Sequence, residues 1–198
     1  MHNRFLTVAR AFVLAAITIG PAVAILAELP PLIPRETLFG NPERVTPRLS
    51  PDGKRLAWIA PNDKNVLQVW VRTIGQNDDK VVTADKKRGI RQYFWTEDNH
   101  TIIYLQDNDG DENFHIYGVD LDSGTVRDYT PFLGTRADLA GIETSHPDEL
   151  LVTINARDKR LFDLYRLTLS TGALVLEAKN PGDITGWITD KDLHVRGG

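Results

Sequence analysis

The sequence has 198 residues, of which 41% are hydrophobic and 25% are charged, a composition typical of a folded globular chain rather than a disordered one. Its formal net charge of -4, from 23 basic and 27 acidic residues, offers no overall basic surface for nucleic acid or anionic lipid. The chain has no cysteine, which excludes disulfides, thiolate metal sites and a cysteine nucleophile.

The N-terminal segment, residues 1–24, has the three-part layout of a secretory signal peptide. Arg4 and Arg10 precede an apolar run that reaches Ile19, and the small residues 22–24 follow it. The alternative is a retained membrane anchor, but Gly-Pro interrupts the run short of the roughly 20 residues that a spanning helix needs. The sequence therefore predicts cleavage after Ala24 and export to the periplasm or outside the cell, with no membrane attachment after cleavage.

A proline-rich linker is predicted over residues 25–43, and short β-rich runs separated by turn residues follow it. No stretch sustains helical periodicity, so the fold class is predicted to be all-β. The sequence also repeats. The segment Leu-Asp-Ser-Gly-Thr-Val at 121–126 returns as Leu-Ser-Thr-Gly-Ala-Leu at 169–174, and an aspartate recurs in a polar turn of each period. These turn aspartates are Asp52, Asp98, Asp148 and Asp190.

Each period contains four predicted strands, which in the first period lie at about 46–50, 55–60, 67–73 and 80–83. A four-stranded antiparallel unit that repeats every 40 to 50 residues is the signature of a β-propeller blade. A sandwich or a barrel also has short strands, but neither predicts turns that recur at a fixed period. Four tryptophans at blade-like positions are predicted to pack between blades rather than to form a ligand cage: Trp58, Trp70, Trp95 and Trp187.

The repeats give blades at about 44–84, 89–131 and 137–180, and a partial blade at 183–198. Propellers close a ring of four to eight complete blades. Three and a half blades do not close a ring, so we expect either that the natural sequence continues beyond this segment or that its reading frame is truncated.

Two stretches carry a resemblance to a known family. The first is Leu-Ile-Pro-Arg-Glu-Thr-Leu-Phe-Gly-Asn-Pro-Glu-Arg (32–44), which runs into Pro-Arg-Leu-Ser-Pro-Asp-Gly-Lys-Arg-Leu-Ala (47–57). The second is Asp-Asn-Asp-Gly-Asp-Glu-Asn-Phe-His-Ile-Tyr-Gly-Val-Asp-Leu (107–121). Together they resemble the propeller of the prolyl oligopeptidase family of serine peptidases, and most of all its acylaminoacyl-peptidase and dipeptidyl-peptidase-like branch.

The resemblance implies that the propeller lies over a C-terminal α/β-hydrolase domain, gates access to it and positions oligopeptide substrates for its serine, aspartate and histidine triad. This sequence contains no Gly-x-Ser-x-Gly nucleophile elbow, so no catalytic residue is carried over to it. The segment alone is predicted to hydrolyse nothing, and it needs no cofactor. The alternative function is a non-enzymatic periplasmic propeller that binds protein or peptide partners, because one fold serves many functions.

The acidic loop around residue 110 allows three interpretations. Asp111 and Glu112 are predicted to bind substrate, because acidic residues in some dipeptidyl relatives pair with the free amino group of a peptide. Calcium is a second possibility, since it prefers several oxygen ligands, but the loop has its glycine at the fourth position and not the sixth. A solvated hairpin turn is the third interpretation, and no metal site is predicted.

Overall fold

The computed structural model describes residues 30–198, and the predicted signal peptide lies outside them. Two units divide the chain, residues 1–34 and residues 35–198. In the first unit, the described residues 30–34 are exposed and have no regular secondary structure. The helix and the strands that the structure describes in residues 30–198 belong to the second unit. In the described part of the chain no helix is long and apolar enough to cross a membrane.

A single helical turn, α1 (Arg35–Phe39), lies within the predicted linker, where no helix was expected. Pro34 immediately precedes it, and proline is favoured at helix starts because its fixed φ suits the first turn. The amide of Gly40 donates a hydrogen bond to the carbonyl of Glu36 at 2.9 Å and closes the turn. One turn is too short to produce helical periodicity in the sequence, which explains why the pattern did not indicate it.

The described part of the chain contains fourteen strands, which form three four-stranded sheets and one two-stranded sheet. The first sheet contains β1 (Val45–Leu49), β2 (Arg55–Pro61), β3 (Leu67–Thr73) and β4 (Lys80–Val81). The second contains β5 (Tyr93–Trp95), β6 (Thr101–Gln106), β7 (His115–Asp120) and β8 (Val126–Asp128). The third contains β9 (Ala137–Ile142), β10 (Glu149–Asp158), β11 (Leu161–Thr168) and β12 (Leu174–Ala178). The last pair is β13 (Ile188–Thr189) and β14 (Val195–Gly197).

In every sheet, strands that follow one another in sequence pair antiparallel, as in a propeller blade. The prediction of an all-β fold made of successive four-stranded blades is confirmed. The described sheets do not close into a ring, so the architecture is a partial propeller.

The outer strand β4 ends at Val81, earlier than the predicted 80–83, because a threonine side chain takes the place of a backbone acceptor. In the first sheet, the amide of Val69 donates to Oγ1 of Thr83 at 2.9 Å. In the second sheet, the amide of Ile116 donates to Oγ1 of Thr130 at the same distance. The two threonines are equivalent positions of the repeat, and each redirects the chain toward the next blade.

The middle strands are buried on both faces, which is the physical requirement for blades that stack on one another. Strand β6 shows this directly, since its residues from Thr101 to Leu105 are all buried. Ile102 packs in a cluster with residues of the first sheet such as Val69, whereas its neighbour Ile103 packs in another cluster with residues of the third sheet such as Leu150. Successive side chains of one strand therefore serve two different interfaces.

Aromatic side chains with a polar atom connect neighbouring sheets. Trp95 Nε1 in β5 donates to the carbonyl of Arg48 in β1 at 3.0 Å, and the Tyr93 hydroxyl donates to the carbonyl of Thr46 at 2.6 Å. Trp187 Nε1 likewise reaches the carbonyl of Phe162 in the third sheet at 3.1 Å. These bonds support packing between blades, as predicted for the tryptophans. Trp70 differs, because its indole donates to a carbonyl of its own sheet.

Candidate functional site

The strands end at two opposite surfaces with different chemistry. We call one end the turn face. It carries the turns between the first and second strands and between the third and fourth strands of each blade. Its segments are 50–54, 74–79, 96–100, 121–125, 143–148, 169–173 and 190–194. We call the other end the loop face. It carries the loops between the second and third strands of the blades, which are 62–66, 107–114 and 159–160. It also carries the connectors between blades, which are 82–92, 129–136 and 179–187.

On the turn face, aspartates of the repeat organise their own turns. Asp98 accepts hydrogen bonds from the amides of His100 and Thr101 at 2.8 and 2.9 Å, and from the hydroxyls of Thr96 and Thr101. Burial raises the pKa of Asp98, but these hydrogen bonds outweigh it and hold the pKa below the ordinary value of 3.8. Asp52 repeats the pattern in the first blade, where its carboxylate accepts from Ser50 and Lys54.

The third blade departs from this pattern. Asp148 accepts hydrogen bonds from the amide and the hydroxyl of Ser170, at 2.8 and 2.5 Å, across to the neighbouring turn of the same blade. The sequence repeat placed Asp148 with the other turn aspartates, but it does not reveal this change of partner. Two turns of the blade are thereby tied to each other.

Polar groups of the turn face also connect one blade to the next. The amide of Asp52 donates to Oδ1 of Asn99 at 2.7 Å. Arg55 donates to the carbonyl of Asn99 and pairs with Asp122 of the second blade, each at 3.1 Å. Between the third blade and the last strand pair, the hydroxyl of Ser145 donates to the carbonyl of Lys191 at 2.7 Å. The turn face therefore uses its polar groups for stability.

Among residues 30–198, one group of side chains has the spacing of metal ligands: Asp190, Asp192 and His194, with ligand atoms within 4.8 Å of one another. It belongs to the fourth copy of the turn. Asp190 accepts from the amides of Asp192 and His194, each at 2.9 Å, and from Arg196 Nε at 2.7 Å. These donors, led by the amide of His194, lower the pKa of Asp190 to about 2. The group is explained by the turn that the other blades share.

The loop face carries a pocket of about 220 Å³ between the connector 82–92, the loop 107–114 and the start of β9. Leu105 and Phe114 supply its apolar wall. Its polar lining consists of Asp85, Arg88, Arg91, Gln92, Gln106, Asp107, Arg136 and Asp138. Three arginines and three aspartates therefore surround a small apolar space.

A buried side chain fixes the connector that forms one wall of the pocket. Gln68 is fully buried in β3, and its Nε2 donates to the carbonyl of Asp85 at 2.7 Å. Its Oε1 accepts from the amide of Asp85 at 3.1 Å and from the hydroxyl of Thr83 at 2.7 Å. The carboxylate of Asp85 in turn accepts hydrogen bonds from the amide of Gly89 and from Gln106. Residues 85–89 are thus held by the first two blades.

The two predicted substrate-binding residues lie in the loop 107–114 and are exposed, but they do not line this pocket. The carboxylate of Asp111 accepts from the amides of Asn108 and Asn113 at 3.2 and 3.1 Å. Partial burial raises the pKa of Asp111, and the hydrogen bonds from Asn113 and Asn108 lower it below 3.8 overall. Glu112 has φ 60° and donates its amide to Asp107 Oδ2 at 3.3 Å. Their role in substrate binding stays a prediction.

Two features of the pocket were missed in the sequence. Asp107 is the acidic residue of the loop that reaches the pocket, and it is only 8% exposed. Its position directly after the buried strand β6 was an available signal. The other feature is the connector, which carries Lys86, Lys87, Arg88 and Arg91 within six residues. In a chain of negative net charge, this run was visible without a structure.

A curated relative decides the family. Over 191 residues the chain is 43% identical to dipeptidyl aminopeptidase BIII of Pseudoxanthomonas mexicana, a match that covers 96% of this chain and 28% of the relative. This chain is a propeller segment of the prolyl oligopeptidase family. The propeller segment thus spans less than a third of the length of that relative. No family model matches it.

Solved structures resemble the propeller segment in fold. TolB from Acinetobacter baumannii superimposes with a TM-score of 0.52 at 17% identity, over 77% of this chain and 36% of TolB. A puromycin-hydrolyzing peptidase of Mycobacterium tuberculosis gives 0.50 at 18% identity, over 75% of this chain and 23% of the peptidase. At these identities the likeness shows the fold alone.

Proposed function

We propose that the propeller segment gates and positions oligopeptide substrates for an α/β-hydrolase domain of the same exported serine peptidase. The observation that carries this proposal is the 43% identity with dipeptidyl aminopeptidase BIII over nearly the whole chain. The segment has no Gly-x-Ser-x-Gly elbow, so the nucleophile of the proposed peptidase lies in the hydrolase domain.

The geometry supports a gating role in two ways. The blades are stacked through buried interfaces and cross-blade hydrogen bonds, so they form a stiff wall rather than a flexible cover. The loops of the loop face differ from blade to blade, and such variable loops on a rigid scaffold are where proteins place binding residues. Within this scheme, exposed Asp111 and Glu112 are the proposed partners of the amino group of a peptide.

The alternative is a non-enzymatic propeller that binds protein or peptide partners, because one fold serves many functions. The likeness to TolB, at 17% identity, is one of fold and does not choose between the two functions. The relative with 43% identity is a peptidase, and sequence identity at this level over nearly the whole chain weighs more than a shared fold.

The test uses the protein encoded by the complete reading frame that contains this segment. We expect it to hydrolyse short peptide substrates and to leave a large unfolded protein such as casein intact. Replacing Trp95 with alanine removes an indole that joins the first two blades, so the variant should gain casein hydrolysis. Trp70→Ala is the matched control, since that indole bonds within its own sheet.

Two results would contradict the gating proposal. The first is casein hydrolysis by the unaltered protein at the rate found for short peptides. The second is an absence of hydrolysis with every peptide, which would favour the binding propeller.

A further inference from the structure

The connector between the first two blades concentrates positive charge in an otherwise acidic chain. Residues 86–91 contain four basic side chains and no acidic one, whereas the whole sequence has a net charge of -4. The buried Gln68 anchors the start of this connector, so its charges are presented from a fixed backbone. An anchored backbone reduces the conformational freedom that the connector loses when it binds an anion.

Two of these side chains, Arg88 and Arg91, line the pocket of the loop face. Within residues 30–198, neither guanidinium has a carboxylate partner, a hydrogen bond or an aromatic ring beneath it. Most other arginines of the second unit are engaged, as Arg157 is with Asp163 at 2.7 Å and Arg166 is with Glu149 at 2.9 Å. The guanidinium of Arg88 lies against Gly110, where an added Cβ would be 3.1 Å from its Cζ.

The aspartates of the pocket already have partners of their own. Both carboxylate oxygens of Asp85 accept hydrogen bonds, from Gly89 and Gln106. Asp107 accepts from the amide of Glu112 at 3.3 Å. Asp138 accepts from the amide of Leu139 at 3.0 Å and lies 3.8 Å from Arg136. The donors that remain unused in the pocket include those of Arg88 and Arg91, which have no carboxylate partner among the described residues.

The third arginine is placed by an aromatic ring. The guanidinium of Arg136 lies over the ring of Phe114 at 5.4 Å from the centroid, and its backbone amide donates to Asn155 at 2.6 Å. Phe114 and Leu105 leave an apolar surface beneath the cationic rim. Such a site suits a ligand that has both a carboxylate and an apolar body.

We propose that this pocket is a carboxylate subsite for one residue of a bound oligopeptide, with Arg88 and Arg91 as the carboxylate ligands. The proposal deepens the proposed function and rests on it, since it names the chemistry of the peptide. A guanidinium donates two parallel hydrogen bonds to a carboxylate, which makes arginine well suited to this recognition. The small volume of the pocket fits a single residue rather than a whole peptide.

The carboxylate has two sources, the C-terminal α-carboxylate of the peptide and the side chain of an aspartate or glutamate residue. Two peptide pairs distinguish them. Ala-Ala-Phe is compared with its C-terminal amide, and Ala-Glu-Phe-amide is compared with Ala-Gln-Phe-amide. Each pair differs in one carboxylate and keeps nearly the same shape.

Binding of the four peptides to the full 198-residue chain is measured by titration calorimetry. In at least one pair, we expect the peptide with the carboxylate to bind at least about tenfold more tightly than its neutral counterpart. A hydrogen bond between charged groups contributes a free energy of this size. The double variant Arg88→Gln, Arg91→Gln should abolish that preference. The double variant Lys86→Gln, Lys87→Gln removes the same charge from the same connector outside the pocket and should keep it.

The outcomes separate the subsite from the proposed function. Equal affinities within both pairs, or binding of none of the peptides, would overturn the subsite. An equal loss of preference in both double variants would also overturn it, since it would show a general effect of charge. If the chain binds peptides without preferring a carboxylate, the subsite is wrong but the gating proposal is unaffected. If the unaltered peptidase hydrolyses casein, the gating proposal is wrong but the subsite is unaffected.

Discussion

The turn face and the loop face are made by the same repeat, yet they use charged residues in opposite ways. On the turn face, Asp52, Asp98 and Asp190 satisfy the backbone amides of their own turns, and Arg55 joins two blades. On the loop face, Arg88 and Arg91 lie in a pocket without partners among the described residues. The turn face thus uses its charged residues for stability, whereas the loop face also has two arginines that are available for a ligand.

The two faces also differ in how strictly they repeat. The turn between the first and second strands has an aspartate in all four copies of the repeat. The loops between the second and third strands, 62–66, 107–114 and 159–160, differ in length. A turn that holds two strands in register has few solutions. A loop that is not required for register is free to vary, and function is placed there.

The largest expected effect comes from Asp98→Ala on the turn face. The substitution leaves two amides and the hydroxyl of Thr101 without their acceptor, so we expect it to lower the free energy of unfolding by about 2–3 kcal/mol. The hydroxyl of Thr96 keeps the carbonyl of Thr101 as its acceptor. Asp109→Asn on the loop face removes only an exposed pair with Lys87 and should cost less than about 0.5 kcal/mol, because asparagine tolerates the φ of 55° at this position. Urea denaturation followed by tryptophan fluorescence measures both. An equal loss of unfolding free energy in the two variants would contradict the difference between the two faces.

On the loop face, the double variant Asp111→Asn, Glu112→Gln should affect substrate binding rather than stability. In the complete peptidase we expect KM to rise about tenfold for peptides with a free amino group, because a charge-assisted hydrogen bond is lost. The same peptides with an acetylated amino group should show unchanged kinetics. A rise of KM for both kinds of peptide would contradict the predicted role.

Two glycines of the turn face test how closely the blades approach. Gly124 and Gly172 occupy equivalent turns and both have φ 72°, so alanine should cost about 1 kcal/mol at either position through backbone strain. An added Cβ at Gly172 would also overlap the guanidinium of Arg127 from the preceding blade, whereas Gly124 faces open space. We therefore expect Gly172→Ala to cost about 0.5 kcal/mol more in urea denaturation, because the flexible end of Arg127 moves away and loses its hydrogen bond to the carbonyl of Thr171. Indistinguishable costs would indicate that the cross-blade contact adds nothing.

The smallest effect concerns acid stability. Because the pKa of Asp98 is lower in the folded chain than its ordinary 3.8, its contribution to stability is present above that value and is lost as the pH falls through the folded pKa. Asp98→Asn should therefore flatten the decline of the thermal midpoint between about pH 5 and pH 2. Parallel curves for the variant and the unaltered chain would show that Asp98 is not linked to folding.

The sequence by itself determined the blade architecture, because the features that specify a blade are local. Turn residues, strand alternation and the period of about 47 residues are all read within one or two repeats. The curated relative then agreed with the family that the stretches 32–57 and 107–121 resembled. The early end of β4 and the single turn α1 were not predictable in this way. One depends on the side chain of Thr83, and the other is too short for a pattern.

Which charged residues lie close to one another depends on the tertiary structure. Arg88, Asp107 and Arg136 come from a connector, a loop and the approach to a strand, and they line one pocket because the blades stack. Asp148 has the same place in the repeat as Asp98 but bonds to Ser170 instead of its own turn. Such contacts depend on side-chain direction and on segments far apart in sequence, which local patterns do not encode.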